Sequence, residues 1–332
     1  MANNLIANVA PVTRRIRAYF APVNRTARQA TTFDASGIAG FNVDAPPAPW
    51  VDLGWCSGFT RKSGTKTEVL TSGAPGIAVG QARTEVEAQV SFAFESWGKL
   101  QLALSAGGQQ MNVLRLQPGS PANGSGGVAV AAVPLTPGSA ATTATALDIG
   151  TTAAAGFVVG DVVAVDIDYT GQLGFVGSGV SGGYVKSIAA IGGGVDYVRR
   201  ITLNVARITS ITGGVLTLGT ALIAGVPTAA MKVSHVVSFC DREGGSYFQE
   251  WSALFLLPGA QGDLVAFHYP RLQAINGAAE IREGLVGVQA GSGDMVRLRL
   301  AGSFRALPVR DANDGEMVVC FRSYLPGAMR LV

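Results

Sequence analysis

The sequence predicts a mainly β protein in which one β module interrupts another, and three observations carry that reading. First, residues 84–94, "TEVEAQVSFAF", place Val86, Ala88, Val90, Phe92 and Phe94 on one side and Glu85, Glu87, Gln89 and Ser91 on the other. That is a period of two, the mark of a strand with one packed face and one wet face. Second, "DMVRLRLAGSFRAL" repeats the habit far downstream, where Val296, Leu298 and Leu300 alternate with Arg297 and Arg299. Third, residues 118–234 change character: almost no acid except Asp, few aromatics, and short strand-like runs separated by Gly and Thr.

Taken in order, residues 1–49 read as an extended arm. It closes in "DAPPAPW", a proline cluster unsuited to a helix or a central strand. Arg14, Arg15, Arg17, Arg25 and Arg28 precede the first acid, Asp34, which makes the arm either an interaction tail or a solvated one. "WVDLGWCSGFTR" starts the first β domain with Val51, Leu53 and Trp55 on one side. A polar, glycine-punctuated connection of about twenty residues follows, a length that is uncommon in compact domains and usually functional. It carries Arg61, Lys62, Lys66 and Glu68 beside apolar Val69 and Leu70. After the alternating strand, Ser96 precedes Trp97, Leu100 and Leu104 at helical spacing, and Gly107 and Gly108 follow, which predicts a capped helix over 97–106. A short strand, "MNVLRL", and a linker, "QPGSPANGSGG", lead into the inserted module. The first style resumes at 235, so residues 50–117 and 235–332 form one domain and 118–234 an inserted all-β domain, Ig-like or barrel-like.

Composition narrows the function classes. Of 332 residues 48% are hydrophobic and only 14% charged, 44 are glycine, and mean hydropathy is +0.32. A soluble monomer carries about a quarter charged residues. So sparse a charge suits a subunit that hides its outside against neighbours. Gly, Pro, Thr or Asp interrupts every apolar run before the roughly 18 residues of a membrane span. The N-terminal order, apolar before basic, is not that of a signal peptide, and Cys56, Cys240 and Cys320 lack metal spacing. They are expected to be reduced, in a protein made in a cytoplasm. A net charge of +3 is too small to argue for nucleic-acid binding.

Nothing catalytic is expected, and no cofactor. His235 and His268 each sit alone in a strand-like run. "GSGVSG" (177–182) matches G-x-G-x-x-G, but a short β-branched segment follows instead of the helix a dinucleotide site needs. Glu85 and Glu87 lie about 7 Å apart along one strand face. Paired carboxylates that hydrolyse glycosides flank the scissile bond from two sides. That face is either simply solvated or lines something that must not be sticky.

The stretch "WVDLGWCSGFTRKSGTKTEVLTSGAPGIAVGQARTEVEAQVSFAFESWGKLQLALSAGG" resembles the core of major tail tube proteins of long-tailed, siphovirus-like bacteriophages: strand, long polar loop, strand, helix. "GDLVAFHYPRLQAINGAAEIREGLVGVQAGSGDMVRLRLAGSFRAL" is similar to the closing strands of that fold. The likeness covers residues 30–116 and 235–330, and 118–234 departs from it as an extra outer module. It implies a β-sandwich with one flanking α-helix and a long stacking loop. It further implies six subunits per ring and rings stacked into a hollow tube, in the virion after assembly in the bacterial host cytoplasm. The partners so implied are further copies, the tape-measure protein and genomic DNA in the lumen, and tail terminator and tail-tip proteins at the ends. Glu85, Glu87, Gln89 and Ser91 would then face the lumen, with no Lys or Arg among them to hold phosphates. Arg61, Lys62, Lys66, Glu68, Val69 and Leu70 would contact the next ring, joined by Arg14, Arg15 and Arg17 of the arm. A carbohydrate-binding or adhesive β protein is the rival reading, with Trp50, Trp55, Trp97 and Trp251 as stacking faces.

Overall fold

A computed structural model describes residues 13, 15–23, 30–47, 49–106, 109–119, 130–166, 204–222, 225–242, 250–260, 262–275, 279–284 and 296–326. The chain divides into two compact units. Met1–Val23, Gln29–Gly107 and Phe248–Val332 form the first, and Asn24–Arg28 with Gly108–Tyr247 the second. The first unit contains β1 (Ile16–Pro22), β2 (Val51–Ser63), β3 (Lys66–Ser72), β4 (Ile77–Glu85), β5 (Ala88–Phe94) and α1 (Lys99–Ala106). The second holds β6 (Gln109–Leu114), β7 (Val133–Pro134), β8 (Ala146–Asp148), α2 (Thr151–Ala154), β9 (Val162–Asp166), β10 (Val205–Thr212), β11 (Val215–Leu218) and β12 (Lys232–Arg242). The first unit resumes with β13 (Glu250–Pro258), β14 (Leu264–Ala274), β15 (Ala279–Gly284), β16 (Val296–Ala306), β17 (Val309–Arg310), β18 (Met317–Val318) and β19 (Phe321–Leu325). The fold is mainly β. Besides α1 it includes α2 and a 3-10 turn at Ala35–Gly40, so the described helical segments number three rather than one.

The first unit is a closed barrel, where the sequence suggested a sandwich. Strands run in the order β16-β5-β2-β1-β13-β14, and β14 then pairs with β16 through Leu272↔Ala306 and Ala274↔Phe304. All of these pairings are antiparallel. Closure follows from two long interrupted strands. β14 and β15 line up along β16, and β19 takes the place beside β14 that β16 vacates after Ala306. An aromatic cluster fills the interior. The Phe20 ring lies 5.6 Å from Phe304, 6.3 Å from Phe92 and 6.1 Å from both Trp251 and Phe255. Burying each such ring stabilises the fold by about 2–3 kcal/mol. Gly302 makes room for it: a Cβ there would come within 2.4 Å of the Phe304 ring, which folds back over the glycine.

Residues 31–50 are not a free arm. β1 is a central barrel strand between β2 and β13, and both are apolar on both faces: Ala18 to Ala21 and Trp251 to Leu256 are all buried. The outward faces therefore need a cover. Phe33, Ile38, Phe41 and Trp50 supply it, packed against Tyr19, Leu254, Leu256 and Ala266. His268 of β14 fastens this strap. Its Nε2 lies 3.1 Å from the Thr31 carbonyl, which can only accept, so Nε2 carries the proton. Its ring stacks on Phe321 and meets Phe33 and Trp50 edge-on, while Nδ1 is buried without a hydrogen-bond partner. Desolvation pushes the His268 pKa down to about 4, the Thr31 bond opposing part of that shift.

The alternating strand starts at Ala88 rather than Glu85, because the chain leaves β geometry at Val86 and Glu87. Ala88, Val90, Phe92 and Phe94 do face inward. The helix begins two residues later than its spacing suggests. Ser96 turns away from capping and donates its hydroxyl to the Leu53 carbonyl, and Trp97 is left exposed. α1 packs on β16, where the Ser105 hydroxyl donates to the Ala301 carbonyl at 2.7 Å.

The second unit is a sheet ordered β6-β12-β9-β10-β11-β8, with β7 also on β12. Leu147, Val163, Val165, Ile208, Leu216 and Val233 are among its buried core residues. The β10–β11 hairpin turns on Gly213 and Gly214, whose φ of 58° and 90° suit the two-residue turn that matches strand twist. The unit boundaries fall outside 117 and 235: β6, read from sequence as part of the first domain, pairs with β12 from Arg242 to Val236. The "GSGVSG" segment lies outside the described residues.

Candidate interface: the projecting ribbon and the polar barrel face

The polar connection of the sequence is a β-ribbon. Ser63 pairs with Ala88 at the barrel rim, and Lys66 pairs with Glu85 beyond it in the same register. β3 and β4 are thus β2 and β5 prolonged past the barrel. The Gly64 N–H bonds to the Glu87 carbonyl at 2.9 Å across the break, and Lys66 forms an ion pair with Glu85 at the ribbon base. Glu85 hydrogen-bonds Lys66 and raises its pKa. Every residue of β3 is exposed. Val69 and Leu70 are 54% and 51% exposed, and on the neighbouring strand Ile77 and Val79 reach 67% and 65%. Val69 and Leu70 are consecutive, so the ribbon is apolar on both faces. Isolated two-stranded ribbons are marginal in water at best.

The second feature is the outward face of β5 and β16. Gln89 and Ser91 lie on it opposite Arg305 and Ser303, and the Ser91 and Ser303 hydroxyls are 3.0 Å apart. Glu87 joins them, accepting from Gln89 at 3.2 Å and from Arg305 at 3.0 Å. The Gln89 bond first, and Arg305 after it, hold the Glu87 carboxyl below its usual range. Farther along, Glu95 accepts from Arg299 at 2.8 Å and has Arg297 at 3.7 Å. The face is therefore polar with paired charges, and not an acidic stripe. Sequence reasoning saw the carboxylates and missed Arg305, although the alternation of Arg297 and Arg299 extends through Ser303 to Arg305.

The other predicted residues separate. Glu68, Val69 and Leu70 stand on the ribbon and Lys66 at its base, whereas Lys62 is exposed on β2. Arg61 belongs to the barrel: its Nε is buried and without a partner. Arg17 is no arm contact. It holds Asp52 and Asp44, each at 2.6 Å, and lies over Trp55, closing strap and barrel together. Arg15 is exposed above the same indole, and Arg14 lies outside the described residues.

Of the tryptophans, Trp50 and Trp251 are buried and Trp55 lies beneath two arginines, leaving Trp97, 53% exposed. His235 stacks on Phe157 at 4.0 Å with Asp161 at 3.4 Å, and desolvation lowers its pKa. Among the described residues no group of three or more His, Cys, Asp or Glu could hold a metal, and no helix is long and apolar enough to cross a membrane. No family model and no curated protein sequence matches this chain.

Proposed function

We propose that this chain is a self-assembling structural subunit, the major tail tube protein of a long-tailed bacteriophage. Six copies close a ring, and rings stack into the tube that conducts DNA and holds the tape-measure protein. The observation that carries this reading is the ribbon of β3 and β4. It projects in continuation of two barrel strands and exposes Val69, Leu70, Ile77 and Val79, which no described residue covers and which another copy would bury. Low overall charge and the outer edges of β15 and β19, unpaired among the described residues, support it. On this reading Gln89, Ser91, Ser303 and Arg305 line the lumen. Guanidinium groups already paired with Glu87 and Glu95 gain less from binding phosphates than free ones would, which limits adsorption of DNA in the lumen.

Negative-stain microscopy of the purified protein tests this. Rings or tubes are the expected result. A monodisperse monomer at every protein and salt concentration would remove the proposal and favour an adhesive surface protein, in which Trp97 would be the stacking face.

A further inference from the structure

One acid on the ribbon and two guanidinium groups on the barrel make no ion pair among the described residues. Glu68 is exposed on β3, while the nearby Lys66 is already committed to Glu85. On the barrel, the Arg61 Nε is buried, and the Arg61 side chain lies against the hydroxyl of the fully buried Tyr269. Cys320, just before β19, lies near enough to both for Arg61 to act on its thiol, and Arg322 acts on it too. Every charged group that influences this thiol is a cation. Beside this cluster runs β19, hydrogen-bonded to β14 on one edge and unpaired among the described residues on the other. The outer edge of β3 is likewise unpaired.

We propose that β3 of one copy adds to the free edge of β19 in a neighbouring copy, seating its Glu68 carboxylate between Arg61 and Arg322. The inference rests on the assembly reading and names where the ribbon lands. Complementary charge selects the occupant: the acceptor is cationic, and Glu68 is the ribbon acid not engaged at its base. Strand addition satisfies backbone groups on both edges, as an unpaired edge demands. It also takes Val69 and Leu70 out of water beside Tyr324, which is 47% exposed. A head-to-tail contact of this kind propagates from copy to copy rather than closing a two-fold dimer.

Charge reversal tests the pairing between molecules. Glu68→Arg places Arg against Arg322, and Arg322→Glu places Glu68 against Glu. Both positions are exposed, so folding is retained and is checked by tryptophan fluorescence. In sedimentation velocity each variant alone should need about tenfold more protein than wild type to assemble. An equimolar mixture of the two should assemble at a lower concentration than either alone, because Glu68 of one variant then meets the intact Arg322 of the other and the introduced arginine meets the introduced glutamate, with Arg61 opposing only the latter contact. Two outcomes overturn the inference while leaving assembly itself standing: single variants that assemble normally, or a mixture that stays as defective as its components. A wild-type protein that never assembles removes the reading beneath it.

Discussion

His268 makes the barrel unit acid-labile, and its replacement by phenylalanine should abolish that sensitivity. The ring is 2% exposed, boxed by Phe33 and Trp50 of the strap and by Phe321 of β19, with Leu254 of β13 as its partner across the ladder. Its pKa falls from 6.5 to about 4 through desolvation, the only other influence being the Thr31 carbonyl, and no carboxylate or cation contributes. The sign follows directly. As pH drops, the unfolded chain takes up this proton near 6.5 and the folded chain only near 4, so protonation draws the equilibrium toward unfolding. The contribution is complete above pH 6.5 and lost as pH falls toward 4. Between pH 7.5 and 4.5 it amounts to about 2–3 kcal/mol.

Urea unfolding followed by tryptophan fluorescence reads this unit alone, because Trp50, Trp55, Trp97 and Trp251 all belong to it and the second unit has none. Carboxylates titrate in the same window, so the quantity of interest is the difference between wild type and His268→Phe at each pH. That difference should shift by about 2–3 kcal/mol across the window, the variant gaining on wild type as the solution is acidified. Parallel stability profiles for the two proteins would refute the reasoning and show that the strap is held by packing alone.

Two further outcomes concern the barrel. Phe304→Ala empties the ring position stacked on Phe92 and folded over Gly302, and should cost about 3–5 kcal/mol in the same urea assay. Replacing residues 108–247 by a short Gly-Ser bridge should leave the tryptophan-reported transition within about 1 kcal/mol of wild type, since those residues form a unit with its own buried core. A lost or broadened transition would show that the second unit is part of the barrel's folding unit.

What was legible depended on how far apart the deciding residues lie. The inward set of β5 is readable because its alternation is local. The strap over β1 and β13 was misread as a free arm, since its prolines and arginines give no periodicity. The ribbon was read as a loop for a related reason: both of its faces are exposed, so no burial pattern selects a period. Arg61 and Lys62 are neighbours of like charge, yet one points into the barrel and the other out. Only the register of β2, shifted between Ser57 and Thr60, decides which. Glu87 and Arg305 are separated by 218 positions, and nothing local in either segment announces their contact.

That last pairing changes the physics of the face it sits on. A row of unpaired carboxylates would repel a polyanion within a Debye length, about 8 Å at physiological salt, and its effect would grow as salt is removed. Glu87 with Arg305, and Glu95 with Arg299 and Arg297, replace that field by short ion pairs with one guanidinium in surplus, and exposed Lys62 opposite Gln89 adds a second cation. Such a face lacks the repulsion that an acidic stripe would exert. What remains is a hydrated surface of Gln89, Ser91 and Ser303 whose hydrogen bonds are made within the sheet or to water. Pairing of this kind needs no large surplus of either charge, which accords with a chain of only 14% charged residues and net +3. On the proposed contact Glu68 and Arg322, neither in an ion pair among the described residues, extend the same pairing of opposite charges from within the sheet to the boundary between copies.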